Sequence, residues 1–139
     1  MKPPPRPGDL VAIDPDECVT LLESAAWARL AFSLDGVPSV LPINILLHDD
    51  AIFFRTATGS KLAAAAGSGT VAVQADSGDP DTREGWSVLA QGQASIVTDP
   101  EVEEALLARP FEPWAIPDDK PFWVRVEVEH ITGRRIVRS

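Results

Sequence analysis

Two cations and a small polar turn lie close together in FFRTATGSKLAAAA, the segment from Phe53 to Ala66. Arg55 and Thr56 end an apolar, strand-like run, and Ser60 and Lys61 precede a run of alanines that predicts one or two helical turns. A helix N-terminus with free backbone N–H groups, hydroxyls and two cations are the groups that bind an oxyanion such as phosphate. The segment therefore predicts a phosphate site.

The same residues also fit a plainer interpretation, in which Ser60 caps a helix while Arg55 and Lys61 are solvated. Serine caps and surface cations are common, so residue types alone leave both interpretations open. A Walker A nucleotide loop is excluded, because that loop needs the pattern G-x-x-x-x-G-K-[ST]. Here Gly59-Ser60-Lys61 lacks both the upstream glycine and the following serine or threonine.

Other candidates for ligand contact are two tryptophans and an arginine pair. In GWSV, Trp86 begins a strand beside a glycine, where a flat ring could cover a planar ligand or a neighbouring subunit. The alternative is an ordinary half-buried tryptophan, and Trp114 in a proline-rich loop allows the same two interpretations. Arg134 and Arg135, in TGRRI, could reach an anion, but we expect a solvated basic tail.

The remaining reactive side chains do not form a recognisable catalytic or metal centre. His48 precedes Asp49 and Asp50, and these adjacent residues predict a hairpin turn, since they cannot easily converge on one ion. His130 is expected to be an ordinary strand residue. Cys18 lies in a predicted helix without a cysteine-protease signature, and the chain has no G-x-S-x-G elbow. No metal ligand, catalytic acid, base or nucleophile is therefore predicted.

Length and composition limit the class of protein. The chain has 139 residues, of which 45% are hydrophobic, so we expect a single domain over residues 11–139 after a flexible, proline-rich arm over residues 1–10. The net charge of -9 argues against general binding to nucleic acid or to anionic membranes. One cysteine, no signal-like start and no apolar run of about 18 residues predict a soluble cytoplasmic protein.

The elements that must position these residues are mostly strands. Asp35-Gly36 and Asp49-Asp50 divide residues 28–56 into three runs, which predict a meander whose second strand, carrying Pro38 and Pro42, is an edge or is bent. The other predicted helices lie over 14–27 and from Asp99, and each begins with an aspartate cap, Asp14 or Asp99, before a proline. Strands are predicted over 70–76, over 85–98 with a bulge or bend at Gly92, and over 122–131, and a loop over 109–121. Six strand candidates in so short a chain predict a closed or nearly closed antiparallel barrel.

Six segments in this order resemble the small flavin-binding proteins related to pyridoxamine 5'-phosphate oxidase: ARLAFSLDGVPSVLPIN, IFFRTATGSKL, VAVQAD, GWSVLAQGQA, PWA and ITGRRI. The resemblance runs from about Asp14 to Ile136. It implies a mostly β protein with short helices, a six-stranded antiparallel split β-barrel. It also implies a homodimer that holds FMN in a groove between its two subunits.

The resemblance also implies which residues contact the cofactor. Around the FMN phosphate it places Arg55, Thr56, Ser60 and Lys61. Along the isoalloxazine ring it places Pro42, Ile43 and Asn44, whose backbone groups would bond the polar edge of the ring. Trp86 would approach from the partner subunit.

The function implied by the resemblance is that of an FMN-dependent oxidoreductase acting on a small organic substrate or on oxygen. The alternatives are a deazaflavin-dependent reductase and a non-enzymatic flavin- or haem-binding module. A related branch, which resembles nitroimidazole reductases, has a histidine where this chain has Arg55. We do not expect a true pyridoxine phosphate oxidase, because such enzymes carry a longer, arginine-containing C-terminal region and this chain ends in GRRIVRS.

Overall fold

A computed structural model describes residues 3–56, 69–111 and 122–138. Within those ranges the chain forms eight strands and two helices. In chain order they are β1 (Leu10–Ala12), α1 (Pro15–Ser24), β2 (Ala28–Leu34), β3 (Val37–Ile43), β4 (Leu46–His48), β5 (Ala51–Thr56), β6 (Thr70–Asp79), β7 (Glu84–Ile96), α2 (Pro100–Leu107) and β8 (Phe122–Ile136). The predicted helical turns over 59–66 and the loop around Trp114 lie outside the described residues.

Both described helices begin at a proline that follows an aspartate, as the sequence predicts. The predicted cap of α1 is not formed by a side chain, because Asp14 makes no side-chain capping hydrogen bond. At α2 the Asp99 carboxylate accepts a hydrogen bond from the backbone N–H of Glu101 at 2.9 Å, which confirms that cap. Helix α1 is shorter than the predicted 14–27, because Ala25 has extended backbone angles (φ -88°, ψ 105°). No helix within the described ranges has the length and apolar character needed to cross a bilayer.

The strands form one antiparallel sheet in the order β3-β2-β6-β7-β8-β5-β4, with β1 added on β8. The predicted meander over residues 28–56 is wrong, because β3 and β4 follow each other in the chain but lie at opposite ends of this order. Pro38 and Pro42 leave β3 without two of the N–H groups that a further strand would need. The prediction that β3 is an edge strand is confirmed.

The short link between β3 and β4 shows that the sheet curves until its two edges nearly meet. Only Asn44 and Ile45 separate Ile43 from Leu46, so their Cα atoms are at most about 11 Å apart. Since β3 and β4 end the hydrogen-bonded order, the two edges of the sheet must nearly meet. The result is a split barrel, as predicted, whose ladder is open between β3 and β4. It has eight strands and not six, because β1 is an additional strand and the second predicted run is divided into β3 and β4.

Apolar side chains fill the interior of the barrel and are contributed by every long strand. Val124 and Val126 share the inward face of β8, as their alternation predicts. Helix α1 adds Cys18 and Leu22 to this interior. Burial raises the pKa of the Cys18 thiol, with the nearby Glu17 carboxylate adding to the effect. Cys18 is therefore a packing residue and not an activated nucleophile.

A second, smaller cluster lies on the opposite, outer face of β5 and β8, beneath α2. We call it the outer cluster, and its buried members are Leu46, Ala51, Phe53, Val97, Leu106 and Trp123. Strand alternation separates it from the interior, because Phe53 and Trp123 point away from the barrel while Phe54 and Val124 point inward. The residues at this end of β5 therefore face an apolar surface on each side of the sheet.

The β-bulge predicted at Gly92 is confirmed. Gln91 is opposite His130 and Gly92 is opposite Val128, so one extra residue of β8, Glu129, lies between these pairs. The backbones approach closely here, since a Cβ atom added to Gly92 would lie 1.7 Å from the carbonyl oxygen of Glu127. The bulge therefore requires glycine.

The two ends of the described chain pair with each other. The Gly8 N–H donates to the Val137 carbonyl at 2.6 Å, and β1 begins at Leu10, within the segment expected to be an arm. Arg134 and Arg135 do not form the predicted solvated tail, because β8 continues to Ile136 and pairs with both β1 and β7.

Candidate functional site

Arg55 lies on the outer face of the sheet, at the last position but one of β5. It is directly opposite Trp123 of β8, and its guanidinium carbon is 5.4 Å from the centroid of the Trp123 ring. This distance is typical of a cation–π contact. Trp123 is only 4% exposed, so its ring is held by the outer cluster. The charged end of Arg55 therefore lies against a fixed aromatic surface.

The guanidinium of Arg55 has a buried donor without a partner. Its Nε atom is buried and has no hydrogen bond, and among the described residues no carboxylate forms an ion pair with it. A guanidinium is always charged, and a buried charged donor that lacks a partner is costly. An anionic ligand would satisfy this donor, and the chain continues from here into the segment that carries Ser60 and Lys61, which lie outside the described residues.

Thr56 does not share a face with Arg55. It is 2% exposed and opposite Phe122, so the alternation of β5 directs its side chain to the other side of the sheet. Of the four predicted phosphate contacts, Arg55 therefore lies on the outer face of the sheet and Thr56 on the inner face. The other two fall outside the described ranges.

The residues predicted along the ring system lie at the exposed edge of the barrel. Pro42 is exposed on β3, whereas the Ile43 side chain is buried in the interior and leaves only its backbone at the edge. The Asn44 side-chain amide donates to the Ala26 carbonyl at 2.6 Å and so fastens the link that follows β3. An edge strand offers unpaired backbone groups, which is what the predicted contact with a polar ring edge needs.

Asn44 and Arg55 lie at the same end of the opening between β3 and β4. Leu46 of β4 is opposite Phe53 of β5. Asn44 lies two residues before Leu46, and Arg55 lies two residues after Phe53, so both extend from this pair in the same direction. The structure therefore brings the end of β3 and Arg55 toward one region of the barrel edge.

Trp86 is not part of that region within one chain. It is opposite Arg135 of β8, whereas Arg55 is opposite Trp123 of the same strand. The twelve residues from Trp123 to Arg135 span about 40 Å of extended strand. Trp86 is half-buried at the far end of the barrel and packs against the interior. Within one chain Trp86 cannot lie beside Arg55. Only the Trp86 of a second copy of the chain could do so.

A groove of about 790 Å³ lies beside Trp86. Arg83, Arg134 and Arg138 line it, together with acidic residues that include Asp76. Arg135, which is directly opposite Trp86, forms an ion pair with Glu17 of α1. Sequence reasoning identified Trp86 and Arg134 but missed Arg83, which approaches only because the β6–β7 hairpin turns beside the end of β8.

The hairpin interpretation of His48 is supported by the backbone. Asp49 and Asp50 join β4 to β5 with φ angles of 47° and 62°, which are turn conformations. The His48 Nδ1 atom lies 3.1 Å from a guanidinium nitrogen of Arg109, so the ring contacts the end of α2. The imidazole is thus used in packing α2 against the hairpin.

The position of Trp123 against Arg55 was also missed by sequence reasoning. The alternation of FWVRVEVEHI does place Trp123 on the face opposite to Val124. It does not reveal which residue of another strand lies opposite, since that depends on the register between β5 and β8. The available signal was an aromatic residue on the outward face of a strand that is otherwise polar on that side.

Comparisons with known proteins agree with this architecture. A family model described as pyridoxamine 5'-phosphate oxidase matches residues 14–135. The uncharacterised Mycobacterium tuberculosis protein Rv0080 is 36% identical over 134 residues, which cover 93% of this chain and 87% of that protein.

Solved structures show the same fold. One, of the FAD binding protein from Mycobacterium smegmatis, has a TM-score of 0.74 and 36% identity, and the match covers 90% of this chain and 97% of that one. A second, of an FAD-binding protein from Mesorhizobium loti, has a TM-score of 0.75 at 21% identity and covers 92% and 97% of the two chains. The chain therefore belongs to the pyridoxamine 5'-phosphate oxidase family of split-barrel proteins.

Proposed function

We propose that this protein binds FMN and acts as an oxidoreductase on a small organic substrate. The observation that carries the proposal is the Arg55 guanidinium, which has a buried, unpartnered Nε and lies four residues before Gly59 of the Gly59-Ser60-Lys61 segment. A phosphate would satisfy this donor with a charge-assisted hydrogen bond. The FAD-binding protein that is 36% identical to this chain supports a flavin as the ligand.

Each residue has a positional role in this proposal. Arg55, Ser60 and Lys61 hold the phosphate, and Thr56, whose side chain points to the other face, contributes less than Arg55 does. The backbone of Pro42, Ile43 and Asn44 lies along the ring system at the open edge of β3. When bound, a flavin supplies hydride and electron transfer, while the protein supplies position and electrostatics. None of the described side chains is assigned as a catalytic acid or base.

A second copy of the chain is required to complete this site. Within one chain Trp86 and Arg55 are separated by most of the length of β8. The edge strand β3 exposes apolar side chains to solvent, and Val37 and Val40 are each 62% exposed. We propose that a symmetric dimer covers this edge and brings Trp86 of the partner subunit against the flavin.

An absorption spectrum of the purified protein, followed by reduction with NADH or NADPH and reoxidation by an added acceptor, tests the proposed function. We expect the bands of oxidised flavin, loss of these bands on reduction, and their return. Chromatography of the released chromophore separates FMN from FAD. A colourless protein that ignores added FMN would favour a deazaflavin, and a bound flavin that is never reduced by these donors would favour the non-enzymatic alternative.

Dimerisation gives a separate expected result. Light scattering should show twice the 14.9 kDa of one chain, and Val40→Asp should shift the protein toward the monomer, because a charge would be buried in the subunit interface. Leu107→Asp is the matched control, since Leu107 is 68% exposed but belongs to α2 and not to β3. A wild-type monomer that binds FMN at full stoichiometry would refute the dimer.

Pyridoxamine phosphate is not expected to be a substrate. That molecule needs a second anion site for its own phosphate, in addition to the site for the flavin phosphate. In the proposed dimer Arg134 and Arg135 of the partner subunit would approach the flavin together with its Trp86. Arg135 is already paired with Glu17, however, and the single exposed cation of Arg134 is not a buried polar site of the kind that such specificity needs. Flavin-loaded protein should produce neither pyridoxal phosphate nor hydrogen peroxide from this substrate, whereas neutral or apolar molecules should be accepted. Efficient turnover in this assay would show that the expectation is wrong.

A further inference from the structure

We infer that Trp123 is a positioning residue, which fixes the Arg55 guanidinium for an anionic ligand and thereby makes the site select phosphorylated over unphosphorylated flavins. The inference rests on the proposed function, because it concerns the same phosphate site. It adds a residue that belongs to neither the R-T-x-x-G-S-K segment nor the ring-binding edge.

The side chains of Arg55 and Trp123 lie on the same face of the sheet. Arg55 and Trp123 are directly opposite each other in the antiparallel pair of β5 and β8, so their side chains lie side by side on the outer face. The guanidinium carbon is 5.4 Å from the ring centroid, which is within the distance at which a cation is attracted to an aromatic face.

Trp123 is held in place by the residues packed around it. Its ring is 5.3 Å, centroid to centroid, from the ring of Phe111, with 48° between the two planes. It also belongs to the outer cluster that Leu106 of α2 closes, and both residues are buried. A side chain as long as arginine normally samples many rotamers, and a rigid aromatic surface reduces that freedom before a ligand binds.

Arg55 keeps a hydrogen-bond donor, its Nε–H, that the contact with Trp123 does not use. A contact with the face of an aromatic ring uses the charge of a guanidinium without using its N–H donors. The buried Nε has no hydrogen bond, and no carboxylate among the described residues forms an ion pair with this cation. Trp123 therefore holds the group while leaving at least the Nε donor available for a phosphate.

The experiment compares FMN with riboflavin, which lacks the phosphate, in fluorescence titrations of the full-length protein. Trp123→Leu removes the aromatic face and should weaken FMN binding about tenfold while leaving riboflavin binding unchanged. Trp123→Phe keeps an aromatic face and should retain most of the FMN affinity. In the Arg55→Ala background, Trp123→Leu should have no further effect on FMN, because its action passes through Arg55.

If Trp123→Leu does not fold, a variant of Arg55, the other residue of this contact, is tested instead. Arg55→Lys keeps the charge but loses the planar group, so it should reduce the preference for FMN over riboflavin to a similar extent. Equal losses for both ligands in the folded Trp123 variants, or an additive loss in the Arg55→Ala background, would overturn the inference alone. A wild-type protein that binds neither flavin would overturn the proposed function and this inference with it.

Discussion

Replacing Arg55 and Lys61 together by alanine is expected to release FMN from a protein that stays folded. Each charge-assisted contact with the phosphate contributes about 1.5 to 3 kcal/mol to binding. Loss of both should therefore weaken the affinity by roughly two to four orders of magnitude. The measurement is a fluorescence titration with FMN, with circular dichroism to verify the fold.

The matched control removes the same charge elsewhere. Lys2→Ala combined with Arg6→Ala takes two cations from the N-terminal segment, which is not part of the proposed site, and this pair should leave the FMN affinity nearly unchanged. The comparison separates a local phosphate contact from the general effect of making an acidic protein more acidic. An FMN affinity that is the same in wild-type protein and in the Arg55/Lys61 double variant would refute the phosphate assignment.

Gly92→Ala is expected to destabilise the barrel strongly. The added methyl group would lie 1.7 Å from the carbonyl oxygen and 2.7 Å from the carbonyl carbon of Glu127. Both neighbouring atoms belong to the backbone of β8, so no side-chain rotation can relieve the clash. We expect a loss of about 3 kcal/mol in the free energy of unfolding. In thermal denaturation followed by circular dichroism, this corresponds to a midpoint that is lower by roughly 10 °C.

Gly78→Ala provides the comparison for this variant. Gly78 is also in a strand, on β6, but the closest atom to an added methyl group would be the Glu84 carbonyl oxygen at 4.0 Å. This is an ordinary contact distance, so the thermal midpoint should change little. Equal midpoints for Gly92→Ala and wild-type protein would mean that the two backbones at the bulge are farther apart than the structure shows.

Features that depend on neighbouring residues were predictable from the sequence. The cap of α2 at Asp99, the bulge at Gly92 and the edge position of β3 each follow from residues within one element. The opposite orientation of Arg55 and Thr56 could also have been derived, because adjacent residues of a strand point to opposite faces. The assignment of both residues to one phosphate did not use this alternation, and it stays a prediction.

Features that depend on pairing between distant segments were not predictable in the same way. The link at Asn44 and Ile45 has the length of a hairpin turn, so nothing local indicates that β3 and β4 separate to opposite ends of the sheet. The basic composition of the C-terminal residues is typical of a solvated tail, and only pairing with β1 and β7 makes them a strand. The stacking of Arg55 on Trp123 likewise depends on the register between two strands that are far apart in the chain.

The central position of β8 has a consequence for how the protein is made. This last strand pairs with β5 near its start, with β7 along most of its length and with β1 at its end. During synthesis we therefore expect the edges of β5 and β7 that pair with β8 to stay without this partner until residues 122–136 leave the ribosome. The hairpin of β6 and β7 can form early, but the barrel can be closed only after translation of its final strand. Until then the nascent chain exposes apolar strand edges, and in this interval it is most vulnerable to aggregation.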